Sequence, residues 1–314
     1  MLFYVGAFFQ TQRHLHIPGI DNVYGQYGFD QNRREYGSES IACKLASSTA
    51  HLKETEGLKP DAKCVMCESF AIGPEDYSLE DIYHMTDWSA VLGVNMMFVT
   101  VYPSSDYSKK YSPNFHNITK HFPGDQMNRY NDNTVRLSFM LTRGVHRINI
   151  GVLFPTGTYW QRNNRTFLDN PQWGKMEEGF NEISIALLRN QLDFDYLFEA
   201  ALPKATLNGK YLSVGEGKFL TVVIPFVDSL SPEIHEKLLT FIRNGGQVMA
   251  LMPLEALEGI ESFASVPKLV EGLESNRTVK IEHPDDPQPD ILYHQRSGKD
   301  QETYFILNSG TKTI

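Results

Sequence analysis

The sequence predicts an α/β protein built on parallel strands. Two observations predict it. Short apolar runs such as "AKCVMCESF", "VNMMFVTVY", "INIGVLFP" and "QVMAL" read as buried strands, and longer stretches with helical spacing separate them. Alternation of this kind puts parallel strands inside and helices outside. A third observation marks an exception. "DILYHQRSGKDQETYFILNSG" is two alternating strands around Ser297-Gly298-Lys299-Asp300, a hairpin signal.

Each element follows from local chemistry. "SESIACKLASSTAHLK" is Ala- and Ser-rich, with Ile41, Leu45, Ala46 and Ala50 at helical spacing. In "SLEDIYHMTDWSAVLG", Ser78 is the expected N-cap, with Asp81 at the third helical position, and Gly93 closes the helix. "NDNTVRLSFMLTRG" reads as a helix ending at Gly144. Beyond it, "WGKMEEGFNEISIALLRNQL" is a helix, "DFDYLFEAAL" begins as a strand, and "KFLTVVIPF" reads as one strand. Ser231 as N-cap, Pro232 at the first position and Gly245-Gly246 at the end bound the next helix. The boundaries expected from this pass are 1–147, 148–285 and 286–314. The middle segment reads as a compact doubly wound unit. Two strands are too few to stand alone, so the last segment is expected to open a larger β domain.

Composition excludes several classes. Hydrophobic residues make up 41% of 314 residues, which is a foldable globular balance. The formal net charge is −9 and no Lys/Arg cluster occurs, which argues against a nucleic-acid partner and suits a neutral one such as a sugar. No apolar run reaches the ~18 residues of a membrane span. The start lacks the basic region and cleavage site of a signal peptide, so the sequence names no compartment by that route. Three cysteines make no disulfide framework and suggest a reducing compartment. The absence of G-x-G-x-x-G leaves a dinucleotide cofactor without support. The apolar opening "MLFYVGAFF" and the ending just after a strand suggest a piece of a longer reading frame.

The candidate site begins at "KCVMCESFAIG". Cys64 and Cys67 lie on a strand, where positions three apart face opposite ways, so they do not share a metal without a turn. Glu68 sits at the C-terminal edge of that strand, where β/α barrels carry their active-site acids; the plainer alternative is a solvated or salt-bridged loop acid. The next strand would bring Asn95, Thr100 and Tyr102 to the same face. Asp21 follows the Pro18-Gly19 turn at another element end. His14 and His16 with Asp21 could suggest a metal, but loop hydrogen bonding accounts for them more simply.

Taken in order, "VGAFFQTQRHLHIPGIDNV", "LASSTAHLK", "CESFAIG", "YSLEDIYHMTDWSAVLGVNMM", "RLSFMLTRGVHRINIGVLFPTGTYW" and "LSPEIHEKLLTFIRNGGQVMAL" resemble glycoside hydrolase family 106, the α-L-rhamnosidases and their relatives. The resemblance implies a (β/α)8 TIM barrel, then a glutamine-amidotransferase-like α/β domain, then β-sandwich modules. This chain would supply the C-terminal half of the barrel, and the N-terminal half, with one catalytic carboxylate, would precede Met1. The implied activity is inverting hydrolysis of terminal sugars in an oligosaccharide or polysaccharide, with Glu68 as the general base or else the acid. Asp21, Asn95, Thr100 and Tyr102 are the expected substrate contacts. Relatives often carry histidine where this chain has Thr100, which leaves the sugar open. The family uses a calcium ion, whose ligands the resemblance does not place here, and it is often exported. Trp88 matches the family's helix tryptophan and reads as core; Trp160 falls on a loop that packs at the domain junction or borders the cleft. The chain by itself would lack a general-acid partner and be inactive.

Two rivals remain open at this point. One is a retaining β-galactosidase-like enzyme, and the other is a non-catalytic carbohydrate-binding relative. An amidotransferase activity needs a nucleophilic cysteine, and 148–285 contains none.

Overall fold

The computed structural model describes residues 8–22, 27, 41–52, 64–70, 78–99, 122, 124–158, 171–225, 227, 230–251, 259–282 and 290–310, without the side chains of 171–178. It is a mixed α/β fold with two parallel sheets. The first sheet holds β1 (Gly19–Asn22), β2 (Met66–Ser69) and β3 (Met96–Val99) in that order. The helices α1 (Phe8–Gln12), α2 (Cys43–Leu52) and α3 (Leu79–Val91) fall before and between these strands. The α3 start is the expected capping box: Asp81 N–H donates to Ser78 Oγ at 3.1 Å and Ser78 N–H donates back to Asp81 Oδ2 at 2.8 Å. Gly93 takes φ +103° just past the Leu92 cap, a conformation that suits glycine. Trp88 is fully buried, as its reading as core requires.

The second sheet is five-stranded. Its strands are β5 (Ile150–Phe154), β6 (Phe194–Phe198), β10 (Thr221–Ile224), β11 (Gln247–Leu251) and β12 (Glu261–Phe263), in the order β12-β11-β10-β5-β6. All its pairs are parallel, and the order reverses at β5, as in doubly wound sheets. The helix Gly124–Leu141 (α4) leads from the first sheet toward β4 (Val145–His146), and α5 (Pro171–Arg189) links β5 to β6. The helix α6 (Pro232–Arg243) joins β10 to β11, with Ser231 at its N-cap and Pro232 in its first turn. A short helix, α7 (Val266–Gly272), follows β12.

Two expectations need correction. "KFLTVVIPF" is not one strand: Gly217–Phe219 (β9) closes an antiparallel meander with β7 (Thr206–Asn208) and β8 (Tyr211–Val214), and only Thr221–Ile224 enters the parallel sheet. Gly209 and Gly215, both at positive φ, form the meander's turns. The helix read from Asn131 begins earlier, at Gly124. The expected hairpin does form, as β13 (Ile291–Ser297) against β14 (Glu302–Asn308), and β13 pairs on its other edge with β4. Gly144 is needed there, because a Cβ would come within 2.4 Å of the Ser297 carbonyl oxygen.

A buried polar cluster joins these parts. Asp193 and Asp195 project from the same side of the strand at β6, two residues apart. Asp193 pairs with Lys44 of α2 and, at 2.7 Å, with His146 Nε2 of β4. Asp195 meets His51 Nδ1 at 2.8 Å and accepts from Ser48 Oγ at 3.2 Å, both on α2. Lys44, Ser48 and His51 are spaced four and three apart and so share one helix face. The His294 ring of β13 stacks on His146 at 4.2 Å. Arg296 donates to the backbone carbonyls of Arg143 and Gly144 at the end of α4.

The cluster carries one stability prediction, and Asp87, half-buried on α3 outside it, carries another. Asp193→Asn leaves the Lys44 ammonium buried without its counter-charge and should cost about 3–5 kcal/mol in a urea melt. Burial lifts the Asp87 carboxyl from 3.8 to about 6. Between those values the unfolded chain has released a proton that the folded chain keeps, so Asp87 lowers stability as pH rises through the window. Asp87→Asn should therefore raise Tm at pH 7 and leave it nearly unchanged at pH 4.

Candidate active site

The first sheet has two unlike faces. Ile20, Cys67 and Met97 are register partners across β1, β2 and β3, and so are Asp21, Glu68 and Phe98. Successive strand residues point to opposite sides. The Ile20–Cys67–Met97 row turns toward the helices: Cys67 is buried beside Cys43 of α2 and Ser89 of α3. Asn22 Nδ2 on the same side reaches Cys43 Sγ at 3.8 Å. The Asp21–Glu68–Phe98 row is exposed, with Phe98 retaining 54% of its surface.

In this arrangement Cys67 of the two-cysteine motif packs against the helices. Cys67 has Cys43 as its sulfur neighbour and Cys64 lies three residues down the chain; all three are free thiols. Burial and the Cys67 thiol push Cys43 up, with the Cys67 hydrogen bond the larger cause.

Asp21 and Glu68 lie side by side on adjacent parallel strands, about 4.8 Å apart at Cα level. Partial burial raises the Asp21 pKa, and the neighbouring Glu68 charge raises it further. Just after Ser69, Phe70 takes φ +75°, an uncommon conformation for a bulky residue. Its ring is buried and meets Tyr130 of α4 edge-on at 6.2 Å. The turn at Phe70 ends β2 at Ser69, so Glu68, the next-to-last strand residue, falls at the C-terminal edge of the sheet.

The other sequence candidates fall elsewhere. Asn95 is buried at the opposite end of β3, where its Oδ1 accepts from Val65 N–H at 2.9 Å. It lies three residues, or about 10 Å, down the sheet from the Glu68 level, and it serves strand pairing there. Thr100, Tyr102 and Trp160 lie outside the described residues. His14 and His16 are exposed on the segment before β1, away from the Asp21 end, and His14 Nε2 accepts from Arg13 Nε at 3.3 Å. They border a cavity of about 410 Å³ whose lining includes Arg13, His14, His16 and Lys204. No carboxylate is among its described lining residues.

Two features escaped the sequence reading. Phe98 was legible as the alternate residue of "MMFV", exposed where its register neighbours are acids. The buried cluster was legible in "DFDYLF", where two acids recur at period two inside an apolar strand, and in Lys44 and His51 on one face of an Ala/Ser helix. Inside the cluster, burial pushes Asp193 up, but Lys44 and then His146 outweigh it and hold the carboxylate low. Burial likewise opposes charge on His294 and holds it well below the usual histidine range, with His146 and Arg296 adding to the effect.

No family model and no curated protein matches this sequence. Solved structures do. The fold is similar to the rhamnosidase from Novosphingobium sp. PP1Y, with a TM-score of 0.65 and 17% identity, over 96% of this chain and 30% of that one. It is also similar to the apo exo-carrageenase GH42 from Bacteroides ovatus, with a TM-score of 0.52 and 11% identity, over 78% of this chain and 35% of that one. The chain thus spans about a third of the length of each. At these identities the shared property is the fold, and it is a fold found in glycoside hydrolases. None of the described helices is long and apolar enough to cross a membrane.

If Glu68 charge holds the Asp21 proton, Glu68→Gln should lower the Asp21 pKa in a side-chain carbon-13 NMR titration. An unmoved Asp21 would mean that the two carboxylates do not face each other.

Proposed function

We propose that this chain is part of a glycoside hydrolase of the α-L-rhamnosidase type. In this reading residues 1–147 form the later part of a (β/α)8 barrel, 148–285 a non-catalytic amidotransferase-like domain, and 286–314 the opening of a β domain. The observation that carries the proposal is the exposed row of Asp21, Glu68 and Phe98 at the C-terminal end of a parallel sheet. In β/α barrels that end bears the chemistry.

Glu68 is the general base in this reading. Its carboxylate takes a proton from water as the water attacks the anomeric carbon, while a second carboxylic acid protonates the leaving oxygen from the other side of the sugar. Asp21 binds the sugar, its carboxyl oxygens accepting hydrogen bonds from ring hydroxyls. Phe98 offers an aromatic surface for the apolar face of the ring. The partner is an oligosaccharide or polysaccharide end. Calcium, which the family resemblance implies, takes six to eight oxygen ligands. The described residues bring two carboxylates to this face, which is not such a shell.

One observation favours a second reading. Inverting pairs stand roughly 6.5–9.5 Å apart and retaining pairs about 5–5.5 Å. Asp21 and Glu68 are register partners on adjacent strands, a placement that would let their carboxyls approach to the shorter range, with Glu68 as nucleophile and Asp21 as acid. Proton NMR of the first sugar released decides between them by its anomeric configuration.

In the complete protein, Glu68→Gln should lower kcat/KM on an aryl α-L-rhamnoside by about 10²–10⁴ with the circular dichroism unchanged. Turnover equal to wild type would remove Glu68 from the mechanism.

A further inference from the structure

We propose that His51, His146 and Asp195 form a buried binding site for a divalent transition-metal ion of the zinc class, which ties α2, β4 and β6 together. The three residues come from three elements and are all buried. One donor atom from each lies within 4.8 Å of the others. His51 Nδ1 is 2.8 Å and His146 Nδ1 3.8 Å from the same Asp195 oxygen. Tetrahedral zinc bound at about 2.0–2.1 Å sets its ligand atoms about 3.3 Å apart, and the two observed separations bracket that spacing.

The surroundings are those of a ligand set. His146 Nδ1 has no hydrogen-bond partner although its residue is only 5% exposed; at 3.8 Å the Asp195 oxygen is too distant to serve. The other ring nitrogen, Nε2, donates to Asp193 at 2.7 Å. A carboxylate on the far nitrogen fixes the tautomer and directs the near lone pair at the metal, as it does for most metal-binding histidines. Asp195 is held in turn, because its other oxygen accepts from Ser48 Oγ at 3.2 Å.

The donor chemistry selects the ion. Two imidazoles and one carboxylate suit zinc, nickel, cobalt or copper(II), whereas magnesium and calcium prefer all-oxygen shells. Lys44 does not oppose the ion directly, since Asp193 neutralises it. Binding needs both Nδ1 atoms free of protons: the His51 proton that Nδ1 shares with Asp195 moves to Nε2, a proton carried on His146 Nδ1 leaves for solvent, and the ion takes their place. His294 is not a ligand in this scheme. Its ring stacks on His146 with an interplanar angle of 3°, so the two rings face each other rather than converge on a point. All three ligands are buried, so the ion would act as a cross-link between α2, β4 and β6, with a water as its fourth ligand.

The test uses the complete protein without an affinity tag, stripped with a chelator and titrated with zinc chloride. The expected result is one equivalent bound, a rise in Tm that saturates at that ratio, and visible absorption bands when cobalt(II) replaces zinc. His51→Gln should weaken zinc binding at least tenfold, and His294→Gln should leave it unchanged. Wild-type protein that shows no zinc-dependent Tm shift and no cobalt bands overturns the proposal, and this arm needs no variant to fold. Equal zinc affinity in wild type and His51→Gln overturns it too, because the ion would then be bound elsewhere.

Discussion

Two aspartates at β6 constrain the whole arrangement. Asp193 and Asp195 are buried at a strand packed on both faces. Taking a carboxylate out of water costs several kcal/mol unless charge and hydrogen bonds replace the solvent. On the strand itself, Phe194 N–H donates to Asp193 Oδ1 at 2.8 Å, but the flanking side chains of Phe194, Tyr196 and Leu197 carry no charge to balance the two aspartates. The replacements come from distant parts of the chain: Lys44, Ser48 and His51 from α2, and His146 from β4. Hydrophobic contact alone would let α2 slide or rotate on the sheet. The carboxylates admit one seating, in which all three α2 side chains reach them.

That seating bears on the candidate active site. The face of α2 that carries Lys44, Ser48 and His51 grips the second sheet. Cys43, one residue along, meets Asn22 and Cys67 of the first sheet. A single helix is thus wedged between both parallel sheets, and its position fixes β1 and β2 from behind. The exposed row of Asp21 and Glu68 inherits its geometry from that packing. The β13 strand closes the joint from the other side, with His294 stacked on His146 and Arg296 bonded to the end of α4.

Much of this was readable from residues alone, and the unread parts share a cause. Ser78 and Asp81, Ser231 and Pro232, and Gly93 each carry their structural instruction within a few residues, so the helix ends were legible. So was the last hairpin, whose turn lies between its own strands. Leu220 gives no such local sign. The chain passes there from an antiparallel meander to a parallel sheet, and the apolar run continues through both. Asn95 reads as a polar residue beside an active-site strand, but its carbonyl is committed to Val65 across the sheet, a pairing that depends on register. The Asp193–Asp195 cluster is the extreme case. Its members span Lys44 to Arg296, and only the folded chain assembles them. Glu68 was legible because an acid at a strand end is a local pattern; its neighbour Asp21 was legible as a residue, but not as a register partner.

The proposed sugar position over the Asp21–Glu68 row can be seen directly in a crystal structure of the complete protein with a non-hydrolysable sulfur-linked rhamnoside. The expected result is a sugar ring over Phe98, with its hydroxyls within hydrogen-bond reach of Asp21 and its anomeric carbon facing Glu68. A rhamnoside seated instead in the cavity beside Arg13, His14, His16 and Lys204, with the Asp21–Glu68 face holding only solvent, would contradict it.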